Sequence, residues 1–485
     1  MLSALTLHNG DTADAQKVPS LSPAEFRQSI VKAVANGARI ASLFGYPLAP
    51  GTIRLVVVLA DGMSGSLAVL SRDAQDSYLA LMHDCPQADP FEREVSEQYG
   101  LQPEGHPAPN SLRNTAAAQF PKALGEEVHE VAVGPVHAGI IEPGHFRFLA
   151  HGEEVLNLEI ALGYQHRGVE RALVGAPDKR TIHYMETLCG DSSIGHATAY
   201  AQAVEALSLC RVPPRAEALR AIALELERLA NHTGDLGALA GDIAYLPTAS
   251  YCGRLRGDFL NMTALLCGNR FGRNLVRPGG VRFDLDKERA SRLLKGLEAA
   301  TRDVTQSVSL LWNTPSVLAR FEGVGGVSRA MAETLGMVGP AARASGLERD
   351  VRFEFPAGFY RYAQIPVCTW HTGDVFSRAY LRWLEIQRSL TFVRERLMTL
   401  PTGDVRVPCE NPRPGQITVS LVEGWRGGIC HVAITDEGGR FLRYKVVDPS
   451  FHNWKGLALA MRGGQISDFP LINKSFNLSY AGHDL

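Results

Sequence analysis

The chain has 485 residues, and its 49 lysines and arginines are balanced by 51 aspartates and glutamates, for a formal net charge of −2. With 45% hydrophobic and 21% charged residues, the composition is that of a globular protein. The near-neutral balance argues against nucleic-acid binding as the main task. The longest apolar run, at 55–60, is far shorter than the ~20 residues that span a bilayer, and polar residues at 7–11 interrupt any signal peptide. We therefore expect a cytoplasmic protein without direct membrane insertion.

The eight cysteines are scattered along the chain, and no two of them form a Cys-x-x-Cys pair. In a long chain without a secretory signal, such cysteines are mostly reduced and buried. A structural zinc site or a cysteine-held iron–sulfur cluster normally shows a close pair. The spacing therefore predicts that this chain itself holds neither.

The first part of the chain has the pattern of a small α/β domain. Its first residues, up to about 20, are polar and irregular, which is typical of a frayed end. Ser22, Pro23 and Glu25 then form the pattern of a capping box. In chain order, the pattern predicts a helix, two strands and a second helix at 24–35, 53–61, 66–71 and 89–99. These elements predict an α/β domain at 20–115, followed by a linker at 116–127.

From residue 128 onward the pattern changes to long helices. Leu219, Ile222 and Leu226 recur at helical spacing, which would place them on one face of a helix. The predicted elements are strands at 131–136 and 145–149, helices at 214–244, 258–267, 287–312 and 375–400, strands at 416–422, 428–435 and 440–447, and a helix at 453–461. The second domain, 128–485, is therefore predicted to be mainly helical with peripheral β-strands, and the fold class is α+β.

Several common catalytic motifs are missing. The glycine-rich stretch 323–327 lacks the spacing and the preceding strand of a phosphate-binding loop, and is typical of a turn between helices. The sequence has neither a Gly-x-Ser-x-Gly elbow nor a His-Glu-x-x-His zinc helix. The chain therefore offers no basis for predicting a hydrolase.

Polar residues cluster just ahead of the apolar helices and within them. The members are His137, Glu159, Tyr164, His166, Arg167, Glu170, Cys189, Asp191 and His196. Each has an ordinary structural alternative: His137 could cap a turn, and Arg167 could pair with Glu170 on a solvated face. A single buried histidine is more often a hydrogen-bonded core residue than a ligand. Only the density of the cluster indicates a cleft.

The same regions resemble a known family. An early segment resembles the signature of the C-type subunit of NADH:quinone oxidoreductase (complex I), with Phe91-Glu92-Arg93-Glu94-Val95, Tyr99-Gly100-Leu101 and Gly105-His106-Pro107. The rest resembles the D-type subunit and, equally, the large subunit of membrane-bound, energy-converting nickel–iron hydrogenases such as formate hydrogenlyase. The matching stretches are Gly134-Pro135-Val136-His137, Glu142-Pro143-Gly144-His145-Phe146, Tyr164-Gln165-His166-Arg167-Gly168-Val169-Glu170, Glu227-Arg228-Leu229-Ala230-Asn231-His232, Gly279-Gly280-Val281, Arg343-Ala344-Ser345-Gly346 with Arg349-Asp350, Gly373-Asp374-Val375-Phe376-Ser377-Arg378 and Arg462-Gly463-Gly464-Gln465-Ile466-Ser467-Asp468-Phe469-Pro470-Leu471-Ile472.

The resemblance implies four positions for metal ligands, and the sequence departs from them. Nickel–iron hydrogenases hold their metals with two Cys-x-x-Cys pairs, because soft thiolates suit nickel and low-spin iron. Here the early pair is Cys189 and Ser192, and the late pair falls at Ser479 and Gly482. Only one of the four thiolates remains. A serine hydroxyl is a hard ligand that does not ionise readily, so no metal and no nickel–iron centre is expected.

The resemblance to complex I implies a quinone site, which is also incomplete. In quinone-reducing relatives, a histidine in the Gly-Pro-x-His turn and a tyrosine at the start of the early helix hold the quinone head group. His137 occupies the first position, whereas the tyrosine position falls at about Gly190. Asp191 beside it is either a substitute acid or a helix-capping aspartate.

These observations favour a hydrogenase-like, complex I-related subunit that lacks the metal centre. The candidate catalytic and proton-relaying residues are His137, Asp191, Glu159, His166, Arg167 and Asp374. The candidate cavity for a quinone-like acceptor is formed by His137, Tyr164 and Arg378. We expect no cofactor in this chain, apart from such a quinone. A 4Fe–4S cluster would lie in a partner small subunit, and any NAD site in another subunit.

The partners that the resemblance implies are the iron–sulfur small subunit, a ferredoxin-like subunit and membrane antiporter-like subunits. Through them the chain would lie on the cytoplasmic face of a membrane. The alternative is a non-catalytic subunit whose cleft only couples conformational changes to the membrane subunits. An active hydrogenase with non-standard ligands is a third hypothesis.

Overall fold

A computed structural model of the chain describes residues 3–107, 112–113, 127–137 and 142–485. Two helices belong to its N-terminal part, α1 (Pro23–Ala35) and α2 (Asp89–Tyr99). The Ser22 hydroxyl accepts a hydrogen bond from the Glu25 backbone amide, and the Glu25 carboxylate accepts one from the Ser22 amide. The predicted capping box is confirmed. Gly100 ends α2 with a φ of 70°, in the left-handed region that favours glycine.

Seven short strands accompany these helices. They are β1 (Leu5–Leu7), β2 (Thr12–Asp14), β3 (Arg39–Ala49), β4 (Thr52–Asp61), β5 (Ser66–Ala74), β6 (Ser77–Leu79) and β7 (Gln102–Glu104). An antiparallel sheet has the order β1-β5-β4-β3, and β6 pairs with β7 in parallel. The apolar run at 55–60 lies in the central strand β4 and is buried on both faces, which explains why it does not alternate with polar residues.

The first residues form regular strands, so the expectation of a frayed end was wrong. Leu5 of β1 lies opposite Val69 of β5. The Asn9 side chain donates to the carbonyl oxygens of Phe355 (2.7 Å) and Leu421 (2.9 Å). Polar residues join this sheet because strand pairing satisfies backbone groups whatever the side chains are.

A three-stranded antiparallel sheet opens the second part of the chain. Its strands are β8 (Val128–Val133), β9 (His145–His151) and β10 (Glu154–Ala161), in the order β10-β9-β8. The turn that carries His137 follows β8, which places this side chain at the edge of the sheet.

Helices make up most of the next 240 or so residues. They are α3 (Val169–Ala172), α4 (Thr181–Met185), α5 (Ser193–Leu207), α6 (Pro214–Asp242), α7 (Leu246–Cys267), α8 (Lys287–Trp312), α9 (Pro315–Phe321), α10 (Arg329–Thr334), α11 (Gly339–Arg343), α12 (Val351–Glu354) and α13 (Val375–Met398), with the strand pair β11 (Val276–Arg277) and β12 (Gly280–Val281) between α7 and α8. The helix predicted at 258–267 begins twelve residues earlier. Its first half is largely exposed and contains Gly253 and Gly257, which hide the helical pattern.

The last part of the chain forms a buried sheet followed by short helices. These elements are β13 (Gln416–Gly424), β14 (Gly427–Thr435), β15 (Phe441–Val447), α14 (Pro449–Ala460), α15 (Phe469–Phe476) and α16 (Tyr480–His483). Single 3₁₀ turns lie at Ala15–Lys17, Pro86–Ala88, Gly358–Arg361 and Ile466–Asp468. The sheet order is β15-β14-β13-β2, so the N-terminal strand β2 is an edge strand of the C-terminal sheet.

This C-terminal sheet lies between two hydrophobic cores. Along β14, Cys430 and Val432 pack in a core with the N-terminal sheet, whereas Ile429 and Ala433 pack in a core with the long helices. Alternation along a strand sends successive side chains to opposite faces. His431 therefore points to the helical side, where its ring meets His196 of α5.

A buried ion-pair network joins the N-terminal part to the rest of the chain. Lys445 lies 2.7 Å from Glu94 and 2.9 Å from Glu170, and Arg113 lies 2.6 Å from Glu94. Arg443 adds a fourth pair, 2.7 Å from Glu170. Glu170 is thus a structural partner of β15, not of Arg167.

The α+β fold class is confirmed by this mixture of helices and largely antiparallel sheets. Of the linker predicted at 116–127, all but Glu127 lies outside the described residues. Within the described ranges, no helix combines the length and apolarity needed to cross a membrane.

Candidate functional site

The loop at 187–192 connects α4 to α5 and carries the early pair of predicted ligand positions. Arg167 donates to the carbonyl oxygens of residues 187 (2.8 Å) and 188 (2.9 Å). The Asp191 carbonyl oxygen accepts from the Asn231 side chain (2.9 Å) and from Trp425 Nε1 (3.0 Å). The loop is therefore held by side chains from outside it.

The four predicted ligand positions converge in space. Cys189 Sγ lies 3.2 Å from Ser479 Oγ, although 290 residues separate them. The Ser479 hydroxyl caps α16 by accepting from the Gly482 amide at 2.9 Å. Arg426 Nη1 lies 3.3 Å from Cys189 Sγ and 3.5 Å from Ser192 Oγ. The early and late positions thus form one buried cluster around a guanidinium group.

Arg426 makes a two-pronged ion pair with Asp191. Its Nη1 and Nη2 donate to the two carboxylate oxygens at 2.6 and 2.8 Å. Burial acts to raise the pKa of Asp191, but the charge and hydrogen bonds of Arg426 outweigh it and hold the pKa below its usual value. Asp191 does not cap α5 with its side chain. Its carboxylate instead faces the ligand cluster as an ionised group.

Asp448 lies on the other side of the cluster, at the N-cap of α14. It is almost completely buried, and a Cβ on Gly482 would come within 2.6 Å of its carboxyl carbon. Its Oδ2 lies 3.1 Å from His196 Nε2. Burial acts to raise the pKa of Asp448, whereas the hydrogen bond and charge of His196, and then Arg426, hold it below the usual value.

His137 is half-buried in the turn after β8. Its Nε2 donates to the Gly144 carbonyl oxygen at 2.8 Å, and its ring packs 5.9 Å from that of Phe146. Phe146 in turn contacts Tyr480, whose amide donates to the Glu142 carboxylate at 2.8 Å. Burial raises the pKa of Glu142. His137 is therefore linked to the late ligand positions through Phe146 and the start of α16.

The structure disperses the other residues of the predicted cluster. Glu159 accepts from Arg147 at 3.1 Å within the β8–β10 sheet. Burial raises the pKa of Glu159, and Arg147 opposes this. His166 Nδ1 lies 3.2 Å from the Asp484 carbonyl oxygen, and Tyr164 is 42% exposed. These contacts are those of sheet and loop residues.

Asp374 and Arg378 have structural contacts at the start of α13. The Asp374 carboxylate accepts from the amides of Ser377 and Gly323, both at 2.8 Å, as a helix cap. Burial acts to raise the pKa of Asp374, but these hydrogen bonds lower it. Arg378 donates to Ser475 Oγ at 2.8 Å, and burial lowers its pKa to about 9. The described contacts of these two residues do not include His137.

Sequence reasoning missed three residues of the site: Arg426, His431 and Asp448. Arg426 lies in the glycine-rich turn between β13 and β14, where it looks like an ordinary hairpin residue. Asp448 precedes a proline at a helix start, which is the pattern of a simple N-cap. Nothing local marks His431. Their shared location depends on β14 packing against α5, which is a tertiary contact.

Comparisons with known proteins point in the same direction as these positions. Residues 242–416 match the family described as respiratory-chain NADH dehydrogenase, 49 Kd subunit. The carbon monoxide-induced hydrogenase of Rhodospirillum rubrum is 31% identical over 72% of this chain and 97% of that protein. Formate hydrogenlyase subunit 5 of Escherichia coli is 30% identical over 81% of this chain and 74% of that protein. The D-type subunit of the NADH-quinone oxidoreductase of Thermus thermophilus is 32% identical over 73% of this chain and 94% of that protein.

The predicted resemblance is confirmed by these matches, which cover most of the chain and most of each relative. Hydrogenase and NADH-quinone oxidoreductase relatives match it about equally well. The chain belongs to the family that unites the 49 kDa subunit of respiratory-chain NADH dehydrogenase with these hydrogenase subunits.

Proposed function

We propose that the chain is a subunit of a membrane-associated redox or ion-translocating complex of the hydrogenase and complex I type, and that it works without a nickel–iron centre. Formate hydrogenlyase and NADH-quinone oxidoreductase relatives, which are named as subunits, support the first part. The proposal implies an iron–sulfur small subunit with a 4Fe–4S cluster, a ferredoxin-like subunit and antiporter-like membrane subunits as partners. Through them the chain would lie on the cytoplasmic face.

The Arg426–Asp191 ion pair is the observation that carries the second part. Nickel and low-spin iron need soft thiolate ligands. The cluster offers one thiol, Cys189, whose pKa burial raises well above the usual value, together with two hydroxyls and a glycine. A guanidinium group in contact with that thiol would also repel a metal cation. The donor set does not fit a nickel–iron centre.

Metal analysis of the intact complex tests this part. We expect nickel far below one atom per chain, in the same preparation in which iron from the partner subunit is present. A nickel content near one per chain would overturn the proposal and support a hydrogenase with non-standard ligands.

His137 is the residue best placed to contact a quinone-like acceptor. Because its Nε2 donates to the Gly144 carbonyl oxygen, its Nδ1 is left without a hydrogen-bond partner in the part of the chain that the structure describes. A neutral Nδ1 accepts from a quinol hydroxyl, and a protonated one donates to a quinone carbonyl. The same nitrogen therefore suits both redox states of such a ligand.

An anaerobic quinone titration of the purified complex tests the acceptor role. We expect decylubiquinone to reoxidise the reduced cluster of the partner subunit, and His137→Gln to slow this reaction about tenfold or more. His129→Gln is the matched control, because His129 is an exposed residue of β8 in the same sheet. If no quinone reoxidises the cluster, the acceptor role is wrong.

A non-catalytic coupling role is the second candidate function. It is favoured by the structural contacts of Arg167, Glu159, Asp374 and Arg378, which are already hydrogen-bonded within the fold. In this case, His137→Gln and Asp191→Asn would leave the activity of the complex unchanged, whereas deletion of the whole subunit would abolish it.

A further inference from the structure

Four buried side chains form a continuous hydrogen-bonded chain beneath the ligand cluster. The Tyr444 hydroxyl lies 2.9 Å from His431 Nδ1, His431 Nε2 lies 3.1 Å from His196 Nδ1, and His196 Nε2 lies 3.1 Å from Asp448 Oδ2. None of the four is more than 1% exposed. We refer to Tyr444, His431, His196 and Asp448 as the buried relay.

Several different elements supply these side chains. Tyr444 and His431 come from the neighbouring strands β15 and β14, His196 from the first turn of α5, and Asp448 from the cap of α14. His431 reaches α5 because it is on the helical side of β14. The relay therefore exists only when the C-terminal sheet packs against α5.

The donors and acceptors of the buried relay all run in one direction. Asp448 is ionised and can only accept, so His196 carries its proton on Nε2 and accepts on Nδ1. His431 must then donate from Nε2, and its Nδ1 accepts from the Tyr444 hydroxyl. Burial, and then the nearby His196, lower the pKa of His431, which agrees with a neutral ring. Burial raises the pKa of Tyr444, which agrees with a protonated hydroxyl.

The inner end of the relay meets the ligand cluster. Asp448 packs against Gly482, one of the late ligand positions, and its charge is felt by Asp191 and Cys189. A proton that arrives at Asp448 is therefore delivered to the cavity wall that Arg426 and Asp191 line.

The outer end of the relay approaches the surface through a second tyrosine. The Tyr200 ring lies 6.3 Å from the Tyr444 ring, and the Thr181 side chain interacts with the Tyr200 hydroxyl. Thr181 Oγ1 donates at 3.0 Å to Asp178, which is exposed. The step between the tyrosines has no direct hydrogen bond in the structure and requires a bridging water molecule.

We propose that the buried relay conducts protons between the surface near Asp178 and the ligand cluster. In one passage, the His196 Nε2 proton moves to Asp448, the His431 Nε2 proton to His196, and the Tyr444 proton to His431. Tyr444 regains a proton from the Tyr200 side, so one proton moves inward without any oxidant or reductant. This inference deepens the proposed function by naming the residues of a proton path, but its geometry does not depend on a quinone.

Solvent exchange of the His196 Nε2 proton tests the relay in the full-length protein. Selective ¹⁵N-histidine labelling and NMR in deuterated buffer would give the exchange rates of wild-type and Tyr444→Phe protein. A conducting relay predicts exchange about tenfold slower or more in the variant, because the route to solvent is cut. A purely structural network predicts the opposite, since the lost hydrogen bond makes local opening easier and exchange faster.

Tyr360→Phe is the matched control, because it also removes one tyrosine hydroxyl that is hydrogen-bonded to a single neighbour, Glu225, at 2.7 Å. Its exchange rate at His196 should match that of the wild-type protein. Tyr200→Phe, which cuts the outer end, should also slow exchange and replaces Tyr444→Phe if that variant does not fold. Unchanged or faster exchange, or a His431 proton found on Nδ1, would overturn the relay. None of these outcomes bears on quinone binding.

Discussion

Arg426 binds Asp191 through both carboxylate oxygens, at 2.6 and 2.8 Å, in the middle of the four predicted ligand positions. The guanidinium also stacks on the neighbouring Trp425 ring at 3.8 Å. An ion pair therefore stands where relatives of the hydrogenase type are expected to place metal ligands. The cluster is held together by charge and hydrogen bonds instead of by coordination.

Removal of Arg426 should destabilise the protein. Arg426→Gln leaves the Asp191 carboxylate facing the buried cluster without its partner, and we expect the free energy of unfolding to fall by about 2 to 3 kcal/mol. Urea denaturation measures this change. Arg254→Gln is the control, because Arg254 forms ion pairs on the exposed surface, and it should cost less than about 0.5 kcal/mol.

The double variant Asp191→Asn with Arg426→Gln checks the assignment of the pair. Because both charges are removed together, its cost should be clearly less than the sum of the two single costs. Strict additivity would show that the two side chains do not interact in solution.

A side chain at position 482 should disturb Asp448. In Gly482→Ala, the new Cβ would lie 2.6 Å from the Asp448 carboxyl carbon, and we expect a loss of about 2 to 3 kcal/mol in the free energy of unfolding. Gly190→Ala, in the early loop, is the matched control, since nothing lies within 4 Å of the added Cβ. Equal stability of the two variants would contradict the packing of Asp448 against α16.

Acid should weaken the network between the N-terminal part and β15. Burial acts to raise the pKa of Glu94, but Lys445 and Arg113 outweigh it and lower the pKa from 4.5 to about 2. A lowered pKa stabilises the fold above pH 4.5, and this contribution is lost as the pH falls towards 2. The wild-type protein should therefore be more stable than Glu94→Gln at pH 7, and the difference should shrink by about 3 kcal/mol between pH 5 and pH 2.

Chemical denaturation across this pH range measures the difference for Glu94→Gln. The exposed Glu288 at the start of α8 provides the control substitution, Glu288→Gln, which should show no such narrowing. If the stability difference for Glu94→Gln is the same at every pH, the lowered pKa is wrong.

Arg167 should control the access of reagents to Cys189. In Arg167→Ala, the carbonyl groups at 187 and 188 lose their two hydrogen bonds, and the loop opens more often. We expect alkylation of Cys189 by iodoacetamide to be about tenfold faster, measured by mass spectrometry of the peptide. Arg171→Ala, a nearby exposed position, should leave the rate unchanged. An unchanged rate in Arg167→Ala would mean that the loop is held by Asn231 and Trp425 alone.

Local patterns predicted most of the regular elements. The capping box at Ser22 and the helix at Lys287–Trp312 were predictable because caps and helical spacing are set by residues within a few positions of each other. The exposed, glycine-containing first half of α7 was not, because no apolar stripe marks it. The N-terminal strands were missed because their partners are distant in sequence, as with β2 on the C-terminal sheet.

The sequence by itself determined the family, the α+β class and the loss of three of the four thiolates, since these depend only on which residues stand at which positions. The tertiary structure alone decided what replaced them. Arg426, His431 and Asp448 are separated from Cys189 by more than 230 residues, and only the packing of the C-terminal sheet against α5 brings them together. Burial then forces each polar group to find a partner, so the cluster became an ion pair and a directed hydrogen-bond chain.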